Sequence, residues 1–191
     1  MSNRRIVVLT APSGGGKTTV ARRLLEAIPK LNFSVSATTR PPRDYETDGI
    51  HYHFLSPEEF RRTVRRGGLI EYEEVYPDRY YGTLRSTVDA ATNQSPVLLD
   101  IEVLGARNVK EMFGDDALTV FIKPPSLDVL AERLRGRGTE SPEDLQVRLE
   151  RAAMELDAAP DFDVVILNDD LETACRETID AVTAFLGHHA S

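Results

Sequence analysis

The sequence predicts an α/β fold in which a parallel sheet is flanked by helices, with two segments inserted into that core. Short apolar runs rich in β-branched residues recur along the chain, the stretches between them are patterned as helices, and two regions stand apart from the alternation. Residues 5–10, "RIVVLT", are apolar without polar alternation, as in a strand covered on both faces. After a burst of glycine, Val20, Leu24, Leu25 and Ile28 recur at helical spacing up to Pro29. "PVLLDIEVLG" (96–105) and "DALTVFIKPP" (116–125) are expected as further buried strands. "FDVVILNDD" (162–170) is expected as another, followed by a last helix through Leu171, Ala174, Ile179, Val182 and Phe185.

The first region that breaks the alternation runs from about Phe33 to Arg85 and is aromatic and turn-rich; short extended pieces and one helix from Pro57 are expected there. The second, from about Leu127 to Leu156, is dense in charge. It reads as two helices joined by "GRGTESP", with Ser141 as N-cap and Pro142 at the first helical position. Both read as mobile flaps on an α/β core. There are no internal repeats or low-complexity linkers, and 191 residues make a single domain with a proper core. The expected division is 1–33, 86–126 and 157–191 for the core, 34–85 for one insert and 127–156 for a helical lid.

Composition narrows the classes of function. A hydrophobic content of 41% excludes general disorder. No window approaches a membrane span, and "MSNRRIVVLTAP" lacks the long apolar core of a signal peptide. Cys175 is the only cysteine, so neither an internal disulfide nor a thiolate zinc cluster can form, which suits a cytoplasmic protein. The net charge of -8 argues against a chain that coats nucleic acid. If the chain handles phosphates, it must do so with a few concentrated arginines and lysines.

"VVLTAPSGGGKTTVARRLLEAI" (7–28) nearly matches the phosphate-cradling loop G-x-x-x-x-G-K-[ST], with Ala11 in place of the first glycine. Glycines 14–16 let backbone N–H groups turn inward, and the helix that follows aims its positive end at an anion. The loop Ala11, Pro12, Ser13, Gly14, Gly15, Gly16, Lys17, Thr18, Thr19 is expected to bind ATP or GTP, as in a P-loop NTPase fold, with Lys17 reaching the β- and γ-phosphates. A plain glycine-rich turn is the bland alternative, disfavoured because G-K-T follows a buried strand and opens a helix. Mg²⁺ is the expected cofactor, with Thr18 as a ligand and Asp100, at the end of "VLLD", as its carboxylate partner. An aspartate ending a strand is ordinarily only a cap or turn residue.

On the acceptor side, "SATTRPPR" puts Arg40 and Arg43 on a proline-stiffened segment, suited to a phosphate. Tyr52, Tyr80 and Tyr81 lie in the same insert and could add phenol donors or pack a small sheet. At this point the chain resembles the guanylate kinases, which move the γ-phosphoryl of ATP onto GMP. The residues that carry the resemblance are "APSGGGKTT", "FSVSATTRPPR", "DGIHYHF", "IEYEEV", "YYGT", "LDIE", "PPS", "RLRGRGTES" and "LNDD", in the family's order over about residues 5–186. A P-loop alone is shared by many NTPases, whereas "TTRPPR" with "YYGT" and "GRGT" is far more specific.

The resemblance implies ATP and GMP as substrates, no nucleic acid or membrane partner, and leaves a homo-oligomer open. It implies that Arg40, Arg43, Tyr52 and Tyr81 hold the GMP phosphate and that Ser36, Glu71, Thr83 and Glu102 face guanine. A carboxylate can accept from guanine N1–H and its amino group, whereas adenine sets a lone pair against it. Unpaired buried polar groups of that kind support discrimination on the order of 10⁴. Glu71 is thus the expected specificity determinant, chosen from Glu71, Glu73 and Glu74 by the family register alone. Arg133 and Arg137 are four residues apart and Arg148 lies on the next helix. The resemblance makes them lid arginines, catalytic together with Lys17 and Arg40, with Gly136 and Gly138 easing the bend between the lid helices. Read alone, "ERLRGR" and "VRLER" are ordinary salt-bridged surface helices.

The chain departs from the commonest family pattern at Ala11, at Thr18 in place of serine, at Glu102 in place of aspartate, at Leu104 in place of glutamine, and in "YPDRYYG", one residue longer than usual. Two rivals are a non-catalytic module of the same fold that binds protein partners and a kinase acting on a sugar phosphate. The retained Lys17, Thr18, Asp100 and arginines count against the first, and Ser36, Glu71 and Thr83 count against the second. His51 and His53 are expected as surface strand residues, His188 and His189 as tail, and Cys175 as core packing.

Overall fold

The computed structural model describes residues 4–136 and 142–187. The chain opens with β1 (Ile6–Thr10), buried at every position. Its side chains alternate: Ile6 and Val8 enter one apolar cluster, Val7 and Leu9 the other. That is why the run is apolar throughout, since helices cover both faces. The glycine loop leads into α1 (Lys17–Ala27), which buries Val20, Ala21 and Leu24 and ends ahead of Pro29.

Next come β2 (Asn32–Phe33), β3 (Ala37–Thr38), β4 (His53–Phe54), α2 (Pro57–Arg65), β5 (Leu69–Tyr76), β6 (Arg79–Leu84) and a short α3 (Arg85–Asp89) that the sequence did not suggest. The helix expected from Pro57 is fixed by a capping box: Ser56 accepts from the Glu59 N–H while the Glu59 side chain accepts from the Ser56 backbone N–H. The core resumes with β7 (Val97–Asp100), α4 (Val103–Phe113) and β8 (Ala117–Lys123). The second insert is α5 (Leu127–Arg135) and α6 (Pro142–Asp157), and β9 (Val164–Leu167) and α7 (Leu171–Gly187) close the chain. Ser141, the expected N-cap, lies outside the described residues, as do Arg137, Gly138, His188 and His189.

One expectation is corrected. "PVLLDIEVLG" is not a strand to residue 105: β7 ends at Asp100, and Val103 already begins α4. Val103, Ala106 and Val109 are buried at helical spacing against the sheet. A short apolar run reads the same in either period, and only the continuation beyond it separates the two.

The larger sheet has the order β2-β7-β1-β8-β9, parallel throughout, with Ile6 opposite both Val97 and Ala117. α4 packs on one face and α1 with α7 on the other. The smaller sheet, β4-β3-β6-β5, is mixed, β3 and β4 being parallel and the other pairs antiparallel. The β5–β6 hairpin turns at Pro77 and Asp78, the latter at φ 60°. Glu74 faces Tyr80 and Tyr76 faces Arg79, so a bulge sets two residues of β5 against one of β6 there. The Glu71–Thr83 and Glu73–Tyr81 pairs lie on the other side of that bulge. Leu130 and Leu134 of α5 pack with Ala152 of α6 to form the core of the second insert.

Candidate active site

The glycine loop sits where β1 ends, beside the end of β7, the position where parallel sheets leave a crevice for ligands. Gly14 and Gly16 have φ of +87° and +98°, a region open to glycine and closed to most side chains. Gly15 is held by proximity: its N–H donates to Pro12 O at 2.8 Å, and a Cβ there would stand 3.0 Å from that of Ala11. The methyl of Ala11 therefore fits, 3% exposed, because the residue it faces has no side chain. Asn168, just after β9, braces the loop through Nδ2 donating to Gly15 O at 2.8 Å.

Lys17 extends from the first residue of α1 to Asp100, with Nζ 2.7 Å from Oδ1, and donates to Ile101 O at 3.2 Å. Burial works against this ammonium, but the Asp100 carboxylate foremost, then Glu102, more than offset it and raise its proton affinity above the ordinary lysine range. Thr18 and Asp100 line the same cavity. A hydroxyl and a carboxylate are hard-oxygen donors of the kind that Mg²⁺ takes. Among the described residues no three acids or histidines are grouped as a metal cage.

The cavity holds about 330 Å³ and lies between the loop, the smaller sheet and α6. Ser36, Tyr52, Glu71, Tyr81 and Glu102 all line it, as does His51, whose Nδ1 accepts from the Thr47 N–H. Glu71 is 8% exposed and accepts from Thr83 Oγ1 at 2.5 Å. Burial pushes its carboxyl above the usual range, against the Thr83 hydrogen bonds, and the nearby Glu73 and Glu102 push the same way. Thr83 touches the cavity only through Glu71 in this geometry; it is fully buried.

The arginine segment is arranged differently from a simple open anion site. Arg40 is 9% exposed and makes a two-pronged pair with Glu46, at 2.8 and 2.7 Å, and its guanidinium lies 5.4 Å from the Tyr52 ring centre. The Arg40 guanidinium holds the Glu46 carboxyl well below the usual range, at about 2. Arg43 is exposed and turns to Tyr45, with Nη1 donating to the phenol oxygen at 2.9 Å. On the lid side, Arg133 Nη2 donates to Asn168 O at 2.9 Å and Arg148 Nη1 donates to Ser13 Oγ at 3.2 Å. Leu130 and Leu134 stand against Gly14, so a Cβ there would come within 3.1 and 3.0 Å of them.

The fold thus gathers Lys17, Thr18, Ser36, Tyr52, Glu71, Tyr81, Asp100, Glu102 and Arg148 around one cavity, while Arg40 stands behind Tyr52 and Arg43 faces outward. Sequence reading missed Glu46, Gly105, Arg151, Glu155 and the bracing role of Asn168. Glu46 had a signal, an acid six residues after Arg40 on a stiff segment. Gly105 had none once that stretch was read as a strand.

Residues 3–185 match the family model described as guanylate kinase. A guanylate kinase of Salinibacter ruber is 61% identical over 186 residues, which is 97% of this chain and 99% of that protein. One of Chlorobium luteolum is 51% identical over 182 residues, covering 95% and 92%. The crystal structure of guanylate kinase from Anaplasma phagocytophilum superposes with a TM-score of 0.80 at 33% identity, covering 98% of this chain and 89% of that one.

Proposed function

The chain belongs to the guanylate kinase family and transfers the γ-phosphoryl group of ATP to GMP, giving ADP and GDP; we propose that it does so in the cavity described above. In this reading ATP lies on the loop 11–19 and GMP lies under the 34–85 insert. The observation that carries it is that Lys17 of the loop and the buried carboxylate of Glu71 line one cavity; in this reading Lys17 marks its phosphate end and Glu71 its base end.

The chemistry asks the chain to position and to neutralise, since a GMP phosphate oxygen is already anionic and needs no strong base. Lys17 faces charge on the β- and γ-phosphates, and Arg148, already over Ser13 of the loop, approaches the same oxygens from α6. We assign the same role to Arg133 and, from the resemblance in sequence alone, to Arg137. Arg40, held in place by Glu46 and by the Tyr52 and Phe54 rings, is the guanidinium we assign to the acceptor phosphate, with Tyr52 and Tyr81 as phenol donors. Arg43 joins that phosphate only by turning from Tyr45. Ser36, Glu71, Thr83 and Glu102 read guanine, Glu71 directly and Thr83 by fixing one Glu71 oxygen. Thr18 and Asp100 would hold Mg²⁺, which would supply positive charge against the phosphates. Cover by the 127–156 segment excludes water that would otherwise hydrolyse ATP. No helix among the described residues is long and apolar enough to cross a membrane, and we place the enzyme in the cytoplasm on its single cysteine and its substrates.

A coupled assay of ADP release from ATP–Mg²⁺ tests the assignment, with GMP, AMP, CMP, UMP and ribose 1,5-bisphosphate offered in turn. Turnover with GMP alone is expected. Tight GMP binding without turnover would favour the non-catalytic module, and turnover with the sugar phosphate would favour the other rival.

A further inference from the structure

α6 carries one arginine that this transfer leaves without a part. Arg151 Nε donates to Glu155 Oε1 at 2.8 Å, Nη1 to Val75 O at 3.2 Å, and Nη2 to Glu73 Oε1 at 3.2 Å and Glu102 Oε2 at 3.4 Å. One guanidinium therefore joins the second insert to β5 of the first insert and to the residue that opens α4 in the core. A single pair with Glu155, four residues on, would be an ordinary surface contact. The fork to a backbone carbonyl and two carboxylates on other elements is not.

The acids it holds are those that crowd Glu71. Glu71 and Glu73 are two residues apart on β5, so they share a face of the strand, and both line the cavity with Glu102. The second oxygen of Glu73 is buried with no hydrogen-bond partner. Glu73 and Glu102 both disfavour charge on Glu71, and Glu102 disfavours it on Glu73. Without Arg151, Glu73 loses its ion-pair partner and only Lys17 still faces Glu102, so relief comes from one acid taking up a proton or swinging aside. Either change disturbs the acceptor that guanine's two donors require.

We propose that Arg151 is a positioning residue for guanine recognition: by pinning Glu73 and Glu102 from α6, it leaves the Glu71 carboxylate aimed at the base and ties the seating of α6 to that pocket. The inference rests on the reading of the cavity as the GMP site. It makes a link between the two inserts that neither would have alone, since the lid helix is anchored on the strand that reads the base.

The test uses the full chain and Arg151→Met, which keeps an apolar stem over the same surface and removes the charge. Steady-state kinetics are run with GMP varied at saturating ATP and with ATP varied at saturating GMP, beside melting midpoints. The KM for GMP is expected to rise about tenfold, as a half-buried acid cluster stripped of its cation implies, with the KM for ATP within about twofold of wild type. Adding Glu73→Gln to Arg151→Met is expected to return most of that loss, because the carboxylate left unpaired is then gone. Should Arg151→Met not fold, the same GMP-only pattern at about threefold is required of Arg151→Lys, which keeps the charge and loses the fork. An unchanged KM for GMP, equal rises for both substrates, or no recovery with Glu73→Gln overturns the inference. If wild type turns over GMP while the variant is indistinguishable from it, only the role of Arg151 falls. If wild type does not turn over GMP, the reading of the cavity falls with it.

Discussion

Glu71, the residue we assign to guanine, also carries a stability cost. It is 8% exposed, with Thr83 donating to one oxygen, and burial raises its proton affinity above the ordinary value of 4.5. The folded state therefore holds this proton more tightly than the unfolded chain. Stability associated with Glu71 is fully present below pH 4.5 and is lost as the pH rises through the raised folded value. Glu71→Gln, uncharged at every pH, is expected to melt at or above the wild-type midpoint at pH 7.5, an advantage that shrinks toward pH 4.5. Its KM for GMP should rise about a hundredfold, because an amide cannot accept from both guanine donors. Scanning calorimetry and kinetics between pH 5 and 8 check both halves, and a midpoint well below wild type at pH 7.5 would contradict the argument. At this scale the acid was legible from the family register, whereas its environment was not. Nothing in "IEYEEV" distinguishes a buried glutamate from Glu74, whose exposed side chain accepts from the Asp78 N–H.

The element that decides the shape of the base end is α4. Its first turn brings Gly105 so close to β5 that a Cβ there would lie 2.5 Å from Glu71 Oε2 and 3.1 Å from its carboxyl carbon. An alanine in a helix ordinarily gains about 0.5–1 kcal/mol over glycine. Here the same methyl collides with the carboxylate, so the helix preference and the site oppose one another. Gly105→Ala is expected to keep or raise the melting midpoint while raising the KM for GMP about tenfold or more through the displaced Glu71. The KM for ATP should hardly move. Kinetics beside calorimetry check this, and a more stable variant with unchanged GMP kinetics would refute it. Sequence reading placed α1 and α7 by their helical spacing, and β1 and β8 as apolar runs stopped by the glycine loop and by Pro124. It misplaced the strand-to-helix junction at 100–103, where apolar residues serve β7 and α4 in immediate succession.

Across the whole molecule, stability depends on joints between elements distant in sequence. Asp163 accepts from the Thr119 N–H and hydroxyl, each at 2.8 Å, and lies 2.9 Å from Lys110 Nζ, joining α4, β8 and the entry to β9. Burial alone would raise its pKa, but Lys110 and the Thr119 donors outweigh it and hold the carboxyl below its ordinary 3.8. The folded state thus releases this proton more readily, and the stability it brings is present above pH 3.8 and lost as pH falls through the folded value. Asp163→Asn should cost about 1 kcal/mol at pH 7, allowing for partial exposure of the group. Urea midpoints at pH 7 and at steps down to pH 2.5 check it, and the gap between variant and wild type should narrow below pH 3.8. A gap independent of pH would show that shape, not charge, sets the contribution of this joint.

The sequence by itself determined the parallel core, the glycine loop with Lys17, the two inserts and the residue types that could meet a nucleotide. Each of these is written locally, as a period of apolar residues, a glycine run or a motif in fixed order. Only the tertiary structure decided which charges meet. Arg40 pairs with Glu46 behind Tyr52, Arg151 joins Glu73 to Glu102, and Asn168 braces Gly15 across 153 residues of chain. Burial and ion pairing depend on distances between elements, and those distances follow from how the sheets and helices pack, which no single stretch of sequence records.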